Sequence, residues 1–162
     1  MKKIFFQIAI FFFFLSSNIS YSSDKIYFID LDFVLKNSII GKNTLKNIED
    51  LNNKNIQELK KKEVLLKKLE KDIKSKKNVI SEEKFNKELI NLRKKINKYK
   101  ELKDQLVINF GKEKNKSIQN FFVKINPIIR DYMSKNSIDI LLQNKNVFIG
   151  KSNLDITGEI IK

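Results

Sequence analysis

The sequence predicts an α+β fold that is mostly helical, with a long antiparallel helical hairpin (a coiled-coil tentacle) projecting from a small β body built from both chain ends. Two observations carry this. Residues 44 to 136 hold a Lys-rich helical pattern with an apolar seam, broken once near Lys76–Ser81. Short runs with strand character stand only near the two ends, at Lys25–Asp30 and after Asn136. A hairpin of this kind projects into solvent and leaves little room for an enclosed active site.

The first element is a leader. Lys2 and Lys3 precede an apolar run from Ile4 to Leu15 broken only by Gln7, and small residues flank a cleavage point near Ser22. This is the pattern of a secretory signal peptide, and about a dozen apolar residues are too few to span a bilayer comfortably. With no cysteine in the chain, lipid attachment at that point is excluded. The expected division is a signal peptide at 1–22 and one domain at 23–162. Within that domain 23–43 and 118–162 form the body, and 44–117 the arm.

KIYFID at Lys25–Asp30 reads as a strand. Phe33, Val34, Ile39 and Ile40 suggest a short helix ending at Gly41, after which Asn43 or Thr44 caps the first long helix. Its seam is Leu59, Leu66, Leu69, Ile73 and Ile80, with Lys62 and Lys76 interrupting. The returning helix carries Phe85, Leu89, Leu92, Ile96, Tyr99, Leu106 and Phe110, with Lys103 as the intruder. Steps of three and four are heptad spacing, so the two seams can bury each other. An arm of about 35 residues reaches roughly 50 Å. At the tip, Lys76 and Lys77 end one helix while Glu82 and Glu83 start the next, which suits both helix dipoles.

Beyond Ile118 the apolar face widens through Phe121, Phe122, Ile125, Ile128, Ile129, Tyr132 and Met133, which marks entry into the body; Pro127 should kink the helix there. Ile138–Leu142 and Val147–Ile149 then read as a strand pair around a turn, and Asp155 caps a terminal helix bearing Ile156, Ile160 and Ile161. A body of about three strands is too small to be stable alone, so oligomerisation is expected, with Ile26, Phe28, Ile140 and Leu142 in the shared core.

Charge is the strongest compositional signal. The formal net charge is +14, and removing a leader with two lysines and no acid leaves +12. Residues 54–100 hold 17 basic and 7 acidic side chains, so most of the excess lies on the arms. Lys60, Lys61, Lys67, Lys68, Lys94 and Lys95 are the expected contacts to acidic clients or anionic surfaces. A solvated coiled-coil face, or a Lys- and Asn-rich composition throughout, explains the same charge without a partner. There is no histidine to shuttle protons or bind metal, and no cysteine for a disulfide.

The layout and both ends resemble the Skp (OmpH-like) family of periplasmic chaperones. The residues that carry the likeness are Ser23-Asp24-Lys25-Ile26 at one end, with Ile138-Asp139-Ile140-Leu141-Leu142 and Ser152-Asn153-Leu154-Asp155-Ile156-Thr157 at the other. The resemblance covers essentially the whole mature chain. It implies a homotrimer whose β body holds three hairpins around a cavity, and ATP-independent holding of unfolded outer-membrane proteins in the periplasm. An anionic lipid or lipopolysaccharide surface would be a further partner. Relative to the family, the arms here are richer in Lys and Asn and poorer in Arg, Gln and Ala.

Two enzyme-like motifs fall to simpler readings. Asp30-Leu31-Asp32-Phe33-Val34 resembles a dehalogenase-type nucleophile motif, but a helical hairpin follows instead of alternating strands and helices. Gly150-Lys151-Ser152 ends like a phosphate-binding loop, yet Lys145 stands where its first glycine belongs. No catalytic residue, cofactor site or metal site is expected, and the chain is not expected to be an enzyme. The alternative reading is a structural or adaptor coiled coil of the cell envelope. Nucleic-acid binding is disfavoured by export and by only two arginines, Arg93 and Arg130.

Overall fold

The computed structural model describes residues 24–161, so the expected leader at 1–22 lies outside the described residues. The elements run β1 (Ile26–Ile29), α1 (Leu31–Asn37), α2 (Ile39–Ser75), α3 (Glu82–Lys135), β2 (Ile140–Gln143) and α4 (Thr157–Ile161). Single turns of 3-10 helix stand at Asn144–Asn146 and Ser152–Leu154. Helices α2 and α3 lie against each other as an antiparallel pair, and the two strands from opposite chain ends meet beneath them.

The strands pair in parallel, with Ile26 opposite Ile140, Tyr27 opposite Leu141, Phe28 opposite Leu142 and Ile29 opposite Gln143. Parallel neighbours need a long crossover, and here the whole hairpin supplies it. The second edge of β1 is partly occupied, because the Ile156 N–H donates to the Phe28 carbonyl at 3.0 Å. The strand expected at Val147–Ile149 does not form. Among the described residues the sheet has two strands, and the segment after the Asn144–Asn146 turn leaves Phe148 and Ile149 exposed. The apolar triplet has strand composition, but among the described residues it pairs with neither strand.

The junction between α1 and α2 also differs from expectation. Gly41 does not end a helix, and neither Asn43 nor Thr44 caps the next one. Ser38 breaks the chain in extended conformation, and its Oγ accepts the Gly41 N–H at 3.0 Å. Gly41 sits in the first turn of α2 because the α1 backbone crosses there; a Cβ would stand 2.0 Å from the Leu35 carbonyl oxygen. The glycine thus serves close approach rather than a left-handed cap.

Helix α3 stays continuous through Pro127, where a kink is expected. Pro127 has no N–H for the Val123 carbonyl, and both residues are exposed, so that carbonyl faces water, where carbonyls tilt outward readily. The helix ends with the Ile138 N–H donating to the Met133 carbonyl at 2.9 Å and the Ser137 N–H to the Ser134 carbonyl at 3.4 Å. Ser137 holds the left-handed conformation, φ 52°, that glycine usually fills in this closing motif. The reversal delivers Ile138 into the core.

That core gathers β1, α1, the end of α3 and the C-terminal segment: Ile29, Val34, Phe121, Ile125, Ile129, Ile138, Ile156 and Ile160 are all buried, with Leu141 of β2 packed against them. Phe121 and Val34 have no exposed surface, and Phe121 meets Phe122 edge to face with centroids 5.3 Å apart. Burying one such side chain contributes roughly 1.5–3 kcal/mol. The terminal helix is tied in by Asp155, whose Oδ1 accepts the Thr157 N–H at 2.9 Å, and by the Asp30 N–H donating to Thr157 Oγ1 at 2.8 Å.

Candidate functional site

Asp30 shows how the sequence places polar groups in structure rather than catalysis. Its Oδ1 accepts the Phe33 N–H at 2.9 Å and caps α1. Asp32 is exposed in the first turn of α1. Among the described residues no group of three His, Cys, Asp or Glu side chains could hold a metal ion, and no helix is long and apolar enough to cross a membrane.

Two surfaces remain. The first is the outer face of the sheet. Side chains alternate along strands, so Tyr27 and Ile29 on β1, with Leu141 on β2, turn to the core, whereas Ile26, Phe28, Ile140 and Leu142 share the opposite face. Ile26, Ile140 and Leu142 are 43%, 44% and 40% exposed. Ile26, Ile140 and Leu142 are thus only partly covered among the described residues. Phe28 is partly covered, with the Gly150 backbone close enough that a Cβ there would approach its ring to 2.7 Å.

The second surface lies along the arms. The seam residues named from the sequence are buried or half-buried, including Ile73, which is 1% exposed, and Leu92, which is 7% exposed, but Ile80 lies in the turn beyond the end of α2 at Ser75 rather than on the helix. One position differs in a useful way. Leu102, not the exposed Lys103, is half-buried between Tyr99 and Leu106, so the returning seam is continuous there. On α2 no residue replaces Lys62, which is exposed, and a groove of about 540 Å³ opens at that level. Leu65, Leu66 and Leu69 form its α2 wall, and Tyr99 and Leu102 its α3 wall. Lys62, Lys95 and Lys98 complete the lining.

Of the six lysines expected to contact partners, all are exposed. Lys95 lines the groove, and Lys60 and Lys61 flank an adjoining apolar patch that includes Val64 and Leu65. Lys67 is instead engaged with Glu63 at 2.7 Å. Lys68 and Lys94 line neither surface. Lys62 and Lys98 are the groove lysines that sequence reasoning did not single out as contacts; the missing apolar step at Lys62 was the available signal.

Ion pairs along the arms have acid before base at i, i+4, the orientation that suits the helix dipole. Glu63–Lys67 and Glu70–Lys74 each close at 2.7 Å, and Glu83–Lys87 at 2.6 Å. Hydrogen bonding from Lys67, then its charge, holds the Glu63 carboxyl below the usual carboxylate range; Lys74 does the same for Glu70. Hydrogen bonding to Glu63 raises Lys67. Lys76 reaches across the turn to Glu88 at 3.3 Å and links the two arms near the tip. These pairs are exposed, so each contributes little.

Comparison with known proteins gives the same architecture. No curated protein sequence matches the chain. A crystal structure from Caulobacter crescentus CB15, described as a candidate outer membrane chaperone (OmpH-like), superposes with a TM-score of 0.81. It shares 16% identity, over 86% of this chain and 83% of that chain, a likeness of fold. A family model described as outer membrane protein (OmpH-like) matches residues 25–162, from β1 through the terminal helix. The chain, with its two-ended β body and helical hairpin, therefore belongs to the OmpH-like family.

Proposed function

We propose that this protein is an ATP-independent holding chaperone of the periplasm, which binds unfolded outer-membrane proteins between helical arms and keeps them from aggregating. The observation that carries this reading is the character of the arms. Ile56, Val64, Leu65, Ile90, Val107 and Ile108 are each at least half exposed, scattered among lysines. Such a surface offers many weak apolar and electrostatic contacts and no single deep site. It suits an unfolded barrel protein, whose unpaired strands and apolar faces otherwise find each other. Release needs no nucleotide, because transfer to a more favourable acceptor suffices.

Three copies assemble through the body in this reading. The apolar outer sheet face of Ile26, Phe28, Ile140 and Leu142 is the joint, since a two-stranded sheet is marginal alone. Residues 23–162 act as one domain, released by cleavage near Ser22 after export. Lysines of the arms favour acidic clients and anionic membrane surfaces, with contacts that weaken as salt rises.

The test dilutes an unfolded barrel protein from urea, with and without the exported protein, and follows turbidity in the absence of nucleotide. Suppression at a modest molar excess is expected. Unchanged turbidity would leave the arms as structural adaptors of the envelope.

A further inference from the structure

We propose that the groove at Lys62 is a specific receiving slot for a short client segment in which one or two apolar side chains are flanked by carboxylates. The inference rests on the holding-chaperone reading and deepens it by naming the class of segment captured within a single hairpin, apart from any cavity between subunits.

The slot exists because the seam is incomplete at one position. Leu59, Leu66, Leu69 and Ile73 follow heptad spacing on α2, and the step between Leu59 and Leu66 falls on Lys62, whose side chain is exposed. Opposite, Tyr99 and Leu102 keep the α3 seam apolar. A wall of leucines on one side and Tyr99 with Leu102 on the other thus lacks the apolar knob that would fill the hole between them. From Lys62 to Leu69 the groove runs about 10 Å at 1.5 Å per residue, the length of roughly three extended residues. It therefore fits one or two inserted side chains, not a folded element.

Charge selects the occupant. The lining contains Lys62, Lys95 and Lys98 and no acid. Among the described residues, none of these three lysines has a carboxylate within salt-bridge range, whereas Lys67 and Lys74, also on α2, are paired with Glu63 and Glu70. The lining is thus apolar below and singly charged at its rim, which matches an apolar side chain with acids on either side and opposes one with lysines. Lys60 and Lys61, beside the exposed Val64 and Leu65, extend the same character along α2.

The experiment measures fluorescence anisotropy of labelled dodecapeptides titrated with the exported full-length protein. One peptide alternates Phe and Leu with Asp; a second replaces Asp by Lys; a third replaces Phe and Leu by Ser. The first should bind and the other two should not. Lys62→Leu, which completes the seam, should abolish binding. Lys95→Gln with Lys98→Gln, at exposed positions that leave the seam intact, should weaken it by about fivefold. Equal binding of all three peptides, or binding undisturbed in both variants, overturns the slot. Failure of all three peptides to bind also overturns it. The turbidity assay is independent of these outcomes. Loss of the slot with turbidity still suppressed leaves the holding reading standing, and unsuppressed turbidity refutes that reading whatever the peptides do.

Discussion

Replacing glycine by alanine at two helical positions should move stability in opposite directions, and the difference isolates one steric contact. Both substitutions gain up to about 1 kcal/mol from helix propensity and a stiffer unfolded chain. At Gly111 an added Cβ meets nothing within 4 Å, so the gain survives and Gly111→Ala should stabilise by about 0.5–1 kcal/mol. At Gly41 the same atom would lie 2.0 Å from the Leu35 oxygen, 2.6 Å from its carbonyl carbon and 2.8 Å from its Cα. These are backbone atoms of α1 and cannot rotate aside. Relief requires shifting α1 by roughly an ångström, and α1 carries Val34, which is fully buried in the core. Overpacking costs about 1–3 kcal/mol, and a backbone obstacle belongs at the upper end. Gly41→Ala should therefore lose about 2 kcal/mol net, which puts the two variants about 3 kcal/mol apart. Urea unfolding followed by far-ultraviolet circular dichroism, at one fixed protein concentration, reads the difference directly. If both variants shift the same way by the same amount, the close crossing of α1 over Gly41 is refuted.

Three further outcomes follow from the same contacts. Ser38→Ala removes a nearly buried cap at the α1–α2 break and should cost about 1–2 kcal/mol in the same unfolding experiment; a loss within error would show that the cap contributes nothing. Glu63 and Glu70 titrate below their ordinary range, so their stabilising effect is present above the unfolded pKa and lost as pH falls through the folded one. Helical signal from the arms should then melt slightly earlier on acidification, an effect that vanishes in high salt because both groups are exposed. Amide exchange should be fastest around Lys76–Ser81, where neighbouring Val79 is 80% exposed, and slowest at Ile29, Phe121 and Ile125; even protection along the arms would contradict this.

The hairpin was legible because heptad spacing is a local signal that tertiary context had no reason to override. Ser81, the bases at Lys76 and Lys77 and the acids at Glu82 and Glu83 mark the turn for the same reason. The body was legible only in outline. Gly41 carries a helix-ending composition, but its purpose is set by a backbone segment six residues earlier, and no window around it shows that crossing. Val147–Ile149 has the composition of a strand but pairs with neither β1 nor β2, and pairing is a long-range property. The alternation of Ile26 and Phe28 against Tyr27 and Ile29 was readable, but which face meets the core depends on α3 and α4. For the candidate site, the gap at Lys62 stood in the sequence and Lys95 was named from its charge, whereas placing Lys95 and Lys98 beside that gap required the register between the arms.

The central claim is that this family member holds an unfolded client between arms joined at the body. Its most direct test is the mass, by light scattering, of the soluble species formed when an unfolded barrel protein is diluted from urea onto the exported protein without nucleotide. A discrete complex with the mass of three chains and one client is expected. A client found only in the pellet, with the protein itself eluting alone, would contradict it.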